Sequence, residues 1–237
     1  MLQENKAIPT HIALIADGNR RWAKAHSLPG KLGHRRGLDT LEALIKTAAS
    51  RGVKFFTSFI FSTENWKRTQ EEIDYLMNLL EEQIMSRKID EYAEKGYKVR
   101  IVGDRSGLRP SIVKGIERAE NLTKDNNLIT VVFAINYGGR LDIVNAARNL
   151  CKKVLNGELT PNSISEKDLN ESLYTVGVPD PDILIRTGGE FRVSNFLLWQ
   201  FAYSELFFCD KLLPDVTESD LDEILETYSS RKRRFGR

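Results

Sequence analysis

Two cysteines are all that this 237-residue chain carries, and Cys151 and Cys209 stand far apart, with neither a CxxC spacing nor a histidine partner. That excludes a disulfide framework and a zinc knuckle, and fits free thiols in a reducing compartment. Charge of one sign is missing as well. The 35 Lys plus Arg against 33 Asp plus Glu leave only +2, where a nucleic-acid-binding domain is usually strongly basic. The one dense basic run, at positions 231–234, reads as a solvated tail. No uncharged stretch approaches the ~20 apolar residues of a membrane span; the longest runs, 126–139 and 193–204, are broken by Asn, Gln, Ser, Tyr and Gly. Glu4, Lys6 and then Asp17 arrive before a secretory apolar segment could form. The expected location is the cytoplasm. Repeats and low-complexity tracts are absent, as are GxxxxGK[ST] and a GxGxxG following a strand, so the usual nucleotide-phosphate mechanisms have no carrier here. There is no DDxxD-type acid cluster either.

What is present is a core. With 41% hydrophobic residues the chain exceeds what a disordered segment carries, and one domain over 1–237 is expected. Short β-rich runs at 11–16, 54–61, 98–102, 128–135, 182–186 and 206–208 alternate with helical patterns. Leu38, Leu41, Leu44, Ile45 and Ala48 mark a helix closed by Gly52. Ile73, Leu76, Met77, Leu80 and Ile84 mark a long one capped by Thr69 and running to about Gly96. Pro110 opens a third, 140–155 forms another, Ser165 caps a short one, and Thr217 starts the last. This alternation predicts an α/β fold: a central, mostly parallel six-stranded sheet flanked by helices.

Polar residues gather after the strands. Asp17-Gly18-Asn19-Arg20-Arg21 follows the first, Ser62-Thr63-Glu64-Asn65-Trp66 the second, Asn136–Arg140 the fourth and Arg186–Asn195 the fifth. Ligands of open parallel sheets bind beyond the carboxyl ends of the strands, so four segments converge where a site is expected. A helix N-terminus with Gly18 and Arg21 favours phosphate. Asp17 beside it would repel phosphate unless a cation lies between them, and Mg²⁺ takes one or two carboxylates plus phosphate oxygens. An ordinary Asp-Gly turn is the competing explanation. His34, with Arg35 and Arg36, is placed just before the second helix, as a cap or a phosphate contact. Trp66 is either a stacking surface or a packing residue. Arg186, Arg192 and Ser194 around Gly188-Gly189 form a second candidate anion site. Glu205 stands alone among apolar residues and needs a cation facing it.

These blocks, Asp17–Lys24, Gly33-His34, Phe61–Arg68, Asn136–Arg140 and Arg186–Ser204, resemble the signatures of the cis-prenyltransferases, with the undecaprenyl diphosphate synthases as the nearest group, in order and from His11 to Gly236. The resemblance implies repeated, Mg²⁺-dependent addition of isopentenyl diphosphate to an allylic diphosphate such as farnesyl diphosphate. The product implied is a long-chain Z-polyprenyl diphosphate, a lipid-carrier precursor for cell-wall glycan synthesis. It further implies a homodimer with an apolar tunnel. By matching positions, Asp17 and Glu205 would handle the metal, and Gly18, Asn19, Arg20, Arg21, His34 and Arg68 the allylic diphosphate. Ser62, Thr63 and Glu64 would belong to the substrate site, and Trp22 and Trp66 would shape its pocket. Arg186, Arg192, Val193 and Ser194 would hold isopentenyl diphosphate, and Asn65 would take part in proton removal. Ala16 stands where the family usually has Met, and Gly30, followed by Lys31, where it usually has Arg. Other product lengths and a non-catalytic partner subunit are the alternatives. Two further expectations are that Asp17 is an exposed loop acid dispensable to the fold, and that Leu76, Met77, Leu80, Ile84, Phe59, Val132 and Ala134 line the tunnel.

Overall fold

The computed structural model describes residues 7–231, so the basic run 231–234 lies outside it except for Arg231. Six strands form one sheet: β1 (His11–Ile15), β2 (Phe55–Ser62), β3 (Tyr97–Val102), β4 (Ile129–Tyr137), β5 (Ile183–Arg186) and β6 (Glu205–Phe208). Their order is β3-β4-β2-β1-β5-β6, and every neighbouring pair is parallel. The helices are α1 (Asn19–Ala25), α2 (Gly30–Ser50), α3 (Gln70–Met85), α4 (Lys88–Glu94), α5 (Pro110–Thr123), α6 (Gly139–Leu155), α7 (Glu166–Asn170) and α8 (Glu218–Ser230), with a 3₁₀ turn at Thr63–Lys67. This is a single α/β domain, with the sheet wholly rather than mostly parallel.

The strand order fixes where a ligand belongs. The chain leaves β1 towards β2 and leaves β5 towards β6 on the opposite side. Connections that diverge from adjacent strands open a crevice at their carboxyl ends. Register pairs Ile15 with Arg186 there, and Asp17 follows two residues after β1 ends.

Alternation within the strands divides the core. Ile12, Leu14, Val131 and Ile135 join the larger apolar cluster under α2, α3, α4, α5 and α8. Ala13, Ile15, Val132 and Ala134 belong to a second cluster on the opposite sheet face with Tyr137, Phe196 and Leu197. Buried His11 ties β1 across the sheet, its Nε2 2.7 Å from Thr57 Oγ1 and its Nδ1 2.7 Å from the Pro179 carbonyl. Burial holds this imidazole at a pKa of about 4, so it serves as a neutral strut.

Two helices depart from the expected pattern. α2 begins at Gly30, which places His34, Arg35 and Arg36 inside it rather than ahead of it. Its first turns carry one apolar side chain, exposed Leu32, because they abut α1 through glycine. A Cβ on Gly33 would lie 2.0 Å from the Asn19 carbonyl oxygen, and one on Gly37 2.2 Å from Asn19 Oδ1. The expected single helix from Thr69 to Gly96 is two. α3 stops at Met85, Ser86 is extended, and the Ser86 hydroxyl accepts the Lys88 amide at 3.2 Å. Neither Gly nor Pro marks this break, since a serine side chain supplies the start of α4.

Between α2, α3, α4 and the sheet lies a cavity of about 350 Å³. Leu76, Met77, Leu80, Ile84 and Phe59 line it, as do Phe133 and Ile135 of β4. Val132 and Ala134 point to the other face, which corrects the expectation that they line it. A strand offers only alternate residues to one side. Ala134→Leu is therefore expected to overpack the second cluster, at a cost of about 1–3 kcal/mol, without reducing the cavity. Denaturant melts beside ligand binding would check this, and a stable variant with impaired binding would contradict it.

Candidate active site

The cavity's mouth is built on the sheet's carboxyl edge. Asp17, Asn19, His34, Ser62, Asn65, Arg68, Arg186 and Ser194 all line it. Asp17 is pinned from both sides. Its amide donates to Thr187 Oγ1 at 2.9 Å, and its carbonyl accepts from the same hydroxyl at 2.7 Å and from the Leu213 amide at 3.0 Å. Its carboxylate meets Arg186 Nη2 at 2.8 Å and Arg21 Nη2 at 3.2 Å. Burial alone would raise the Asp17 pKa, but the two guanidinium groups outweigh it and hold the carboxyl below its usual range. Asp17 is thus half-buried and ion-paired, not the exposed loop acid the sequence suggested.

Arg186 is 4% exposed. Besides Asp17 it donates to Ser194 Oγ at 2.7 Å and to the Arg192 carbonyl, while its Nε has no partner among the described residues. The loop after β5 is bent to fit it: Ser194, Asn195 and Leu197 have φ of 47°, 63° and 40°, a region costly for residues with a Cβ. Asn195 holds that loop in place. Its Oδ1 accepts the Arg140 amide at 2.9 Å, its carbonyl accepts the Gly139 amide at 2.7 Å, and its Nδ2 donates to Glu64 Oε1 at 2.8 Å. Burial raises the Glu64 pKa, yet the hydrogen bonds led by Asn195 leave it lowered on balance.

Gly18 starts α1 with φ 110°, and a Cβ there would lie 2.9 Å from Leu212. Arg20 pairs with Glu72 at 2.7 Å, and Arg21 also reaches Glu190 at 3.8 Å. Arg68 makes no ion pair among the described residues. Asn65 Oδ1 accepts the Ser62 amide at 2.9 Å, closing the 3₁₀ turn. Thr63 lies against Gly138, whose Cβ would meet Thr63 Oγ1 at 2.5 Å.

Several candidates fall elsewhere. Trp22 stacks on His26 at 4.3 Å and donates to Asp215 at 2.7 Å. Trp66 packs edge-on against core Phe61 and donates to Asn136 Oδ1 at 2.8 Å. Neither lines the cavity, and Trp66 packs against the larger apolar cluster. Val193 packs on the second apolar cluster, and exposed Arg192 holds Glu190. Glu205 sits at the start of β6, opposite Ile183, at the sheet's amino edge. Its facing cation is Arg231, at 2.8 Å. It therefore does not join Asp17 within this chain, and no group of three His, Cys, Asp or Glu side chains able to hold a metal occurs among the described residues. Gly30 opens α2, and Lys31 is exposed, its carbonyl accepting the Tyr75 hydroxyl at 2.8 Å. Both cysteines are free.

Thr187 and Asn195 went unselected by the sequence reading. Both lie inside the polar segment Arg186–Asn195 after the fifth strand, and an Asn next to a serine in a Gly-rich loop is the kind of residue that tolerates positive φ.

His34 is held at a pKa of about 4, by burial first and then by the charges of Arg68 and Arg20, so at neutral pH the mouth presents an uncharged imidazole within the field of two guanidinium groups. An anion bound there would offset those charges and raise the pKa. An NMR titration of His34 should give about 4 in the free protein and move upward with inorganic pyrophosphate. An unchanged midpoint with pyrophosphate saturating would contradict this geometry.

Residues 15–236 match a family model described as "putative undecaprenyl diphosphate synthase". An isoprenyl transferase of Thermotoga maritima is 44% identical over 229 residues, 97% of each chain. The farnesyl-diphosphate-specific ditrans,polycis-undecaprenyl-diphosphate synthase of Micrococcus luteus is 43% identical over 229 residues, 97% of this chain and 92% of that one. Among solved structures, lavandulyl diphosphate synthase from Lavandula x intermedia, in complex with dimethylallyl diphosphate, superposes with a TM-score of 0.93 at 36% identity, covering 97% of this chain and 99% of that one. A "probable undecaprenyl diphosphate synthase" from Campylobacter jejuni superposes at 0.81 with 30% identity, covering 98% and 100%. With the family's model spanning nearly all of a chain whose cavity joins an apolar interior to a guanidinium-lined mouth, this protein belongs to the undecaprenyl diphosphate synthase family of prenyltransferases.

Proposed function

We propose that the protein condenses isopentenyl diphosphate repeatedly with an allylic diphosphate, farnesyl diphosphate first among them, to a long-chain Z-polyprenyl diphosphate such as undecaprenyl diphosphate. The observation that carries the reading is the cavity itself: an apolar interior for a hydrocarbon, opening on Asp17, His34, Arg68 and Arg186 for a diphosphate. The Micrococcus relative, named for farnesyl diphosphate, and the Lavandula structure, holding dimethylallyl diphosphate, support the allylic substrate.

In this reading Gly18, Asn19, Arg20 and Arg21 at the start of α1, with His34 and Arg68, bind the allylic diphosphate, while Arg186, Arg192 and Ser194 bind isopentenyl diphosphate. The allylic carbon–oxygen bond breaks and diphosphate leaves with the electron pair. The isopentenyl double bond attacks that carbon, and a proton leaves the new unit. Guanidinium groups fixed before reaction stabilise the charge on the departing oxygens. Asn65, its Oδ1 fixed by the Ser62 amide, orients the group from which the proton departs. Ionised Asp17 fits Mg²⁺, which is satisfied by one carboxylate plus substrate phosphate oxygens; bound there, the ion would neutralise the leaving diphosphate. Glu205 does not fit the same ion from within the chain. Ser62, Thr63 and Glu64 shape the turn that presents Asn65.

The homodimer belongs to this reading too. β6 is an edge strand, and Leu206, Phe191 and Tyr203 around it are 41%, 74% and 79% exposed. An apolar sheet edge of this kind needs cover, and a second copy of the chain supplies it. Leu206→Lys with Tyr203→Lys should halve the mass measured by light scattering. A wild-type monomer would reject the dimer. No described helix is long and apolar enough to cross a membrane; the reading places the protein in the cytoplasm, touching a membrane only when product leaves.

Incubation with Mg²⁺, farnesyl diphosphate and labelled isopentenyl diphosphate should give products extended by five-carbon units. Asp17→Ala should lower turnover by on the order of 10²–10³. It should also lower the melting temperature, because Arg186 loses the carboxylate that pairs it. Arg192→Ala should raise KM mainly for isopentenyl diphosphate and His34→Ala mainly for the allylic substrate; the reverse split would exchange the two sites. No chain extension by the wild type would reject the function.

A further inference from the structure

The corner between α1 and α2 stands beside the cavity's mouth, and the inference drawn from it rests on the reading of that cavity as housing for a prenyl chain. Asn19 at the start of α1 and His34 in α2 both line the mouth, so the segment between them belongs to its rim. Residues 24–32 are all exposed. Backbone bonds fix the turn: the Leu28 amide donates to the Ala23 carbonyl at 2.8 Å and the Leu32 amide to the Pro29 carbonyl at 2.9 Å. From α3, the Tyr75 hydroxyl donates to the Lys31 carbonyl at 2.8 Å. Two features of this corner find no use within the chain. Positions 18–38 hold six Arg and Lys and no Asp or Glu. Arg20, Arg21 and Arg35 are taken by Glu72, Asp17 and Glu82, but Lys24, Lys31 and Arg36 make no ion pair among the described residues. In the first turn of α3, exposed Glu71 is the acid left without one. The second feature is apolar: Leu28 and Leu32 are 39% and 40% exposed. A single exposed leucine is ordinary, but here two lie four apart among unpaired lysines.

A basic surface with apolar side chains among its charges is complementary to an anionic bilayer. Its lysines attract lipid phosphates, and its leucines enter the acyl boundary. Water suits the lysines but not the leucines, and an acidic protein has no need of a cavity mouth beside it. Position decides between them. A polyprenyl chain that leaves by the mouth is disfavoured about fourfold for every CH₂ it exposes to water, so lipid is needed at that rim. We propose that the α1–α2 corner docks on anionic lipid and holds the mouth against the bilayer into which product passes. Lys24 and Lys31 meet the headgroups, and Leu28 and Leu32 reach beneath them. The turn is folded beforehand, so docking carries little ordering cost.

The test is co-sedimentation, without substrate, with vesicles of phosphatidylcholine alone and of phosphatidylcholine and phosphatidylglycerol in equal parts. The wild type should bind the anionic vesicles and leave them as salt rises. Lys24→Gln/Lys31→Gln should weaken that binding about 25-fold, about fivefold for each charge. Leu28→Gln/Leu32→Gln should weaken it about fivefold, and should extend chains at the wild-type initial rate when no vesicles are present. Glutamine is a good helix former, so both variants should keep the wild-type melt. Where a double variant melts early, Lys24→Gln or Leu28→Gln alone carries a change of the same sign. Folded variants that bind as tightly as the wild type would overturn the proposal. So would a wild type that binds neither vesicle, or both equally. A halved mass for the leucine variant in light scattering would overturn it too, by making the corner a contact between copies. A wild type that binds anionic vesicles yet extends no chain fails the functional reading and leaves the docking surface standing.

Discussion

A guanidinium with almost no exposed surface is costly to a folded protein unless it is paired, and Arg186 at the end of β5 finds its acid in Asp17 just past β1. The rest of the site is arranged around that requirement. The pair closes the crevice between two parallel strands whose connections diverge. Thr187 binds both the amide and the carbonyl of Asp17, so the acid's backbone is as fixed as its side chain. The second arm of Arg186 draws in Ser194 and the Arg192 carbonyl, which sets the course of the loop before β6. Removing either charge strands the other, because a buried charge without its partner costs far more than the pair contributes.

How much of this could be read from residues alone follows from the range of each interaction. Strands and most helices were legible because burial imposes a period, and the four polar segments were legible because they interrupt it just after strands. The double role of Thr187, the three bonds of Asn195 and the Asp17–Arg186 pair were not, since they join positions up to 170 apart in sequence. The start of α2 was hidden because Gly33 and Gly37, which look like breakers, are contact points for Asn19. The break after Met85 was hidden because a serine hydroxyl makes it. The placement of Trp22 and Trp66 outside the cavity lining was hidden for a related reason. An aromatic beside a polar motif suggests a ligand surface, yet each indole N–H found a buried or nearby acceptor in Asp215 and Asn136, as packed tryptophans usually do.

The face to which a strand residue points decided the largest correction. Phe133, Ala134 and Ile135 are consecutive and all apolar, and a fully buried parallel strand shows no alternation by which to sort them. Only the helices stacked on each face distinguish the cavity side from the other. Family resemblance could not resolve this either, because motif residues cluster at the mouth while the walls are built from interchangeable apolar positions.

The mouth is better described as a network of competing charges than as an open basic patch. Arg21, Arg186 and Arg192 already hold Asp17 or Glu190, and Arg20 holds Glu72. In the proposed function, a diphosphate entering would have to draw these donors from carboxylates, so much of its attraction would be spent rearranging bonds that exist before it arrives. Exposed pairs such as Arg192–Glu190 yield easily, since they are worth little in water. The Asp17–Arg186 pair does not, and its carboxylate stays beside the incoming oxygens. That is the physical ground on which the proposed function would place a divalent cation at Asp17. The acid that the fold requires to neutralise Arg186 would repel the substrate that Arg186 attracts, and a cation between carboxylate and phosphate turns the repulsion into a bridge.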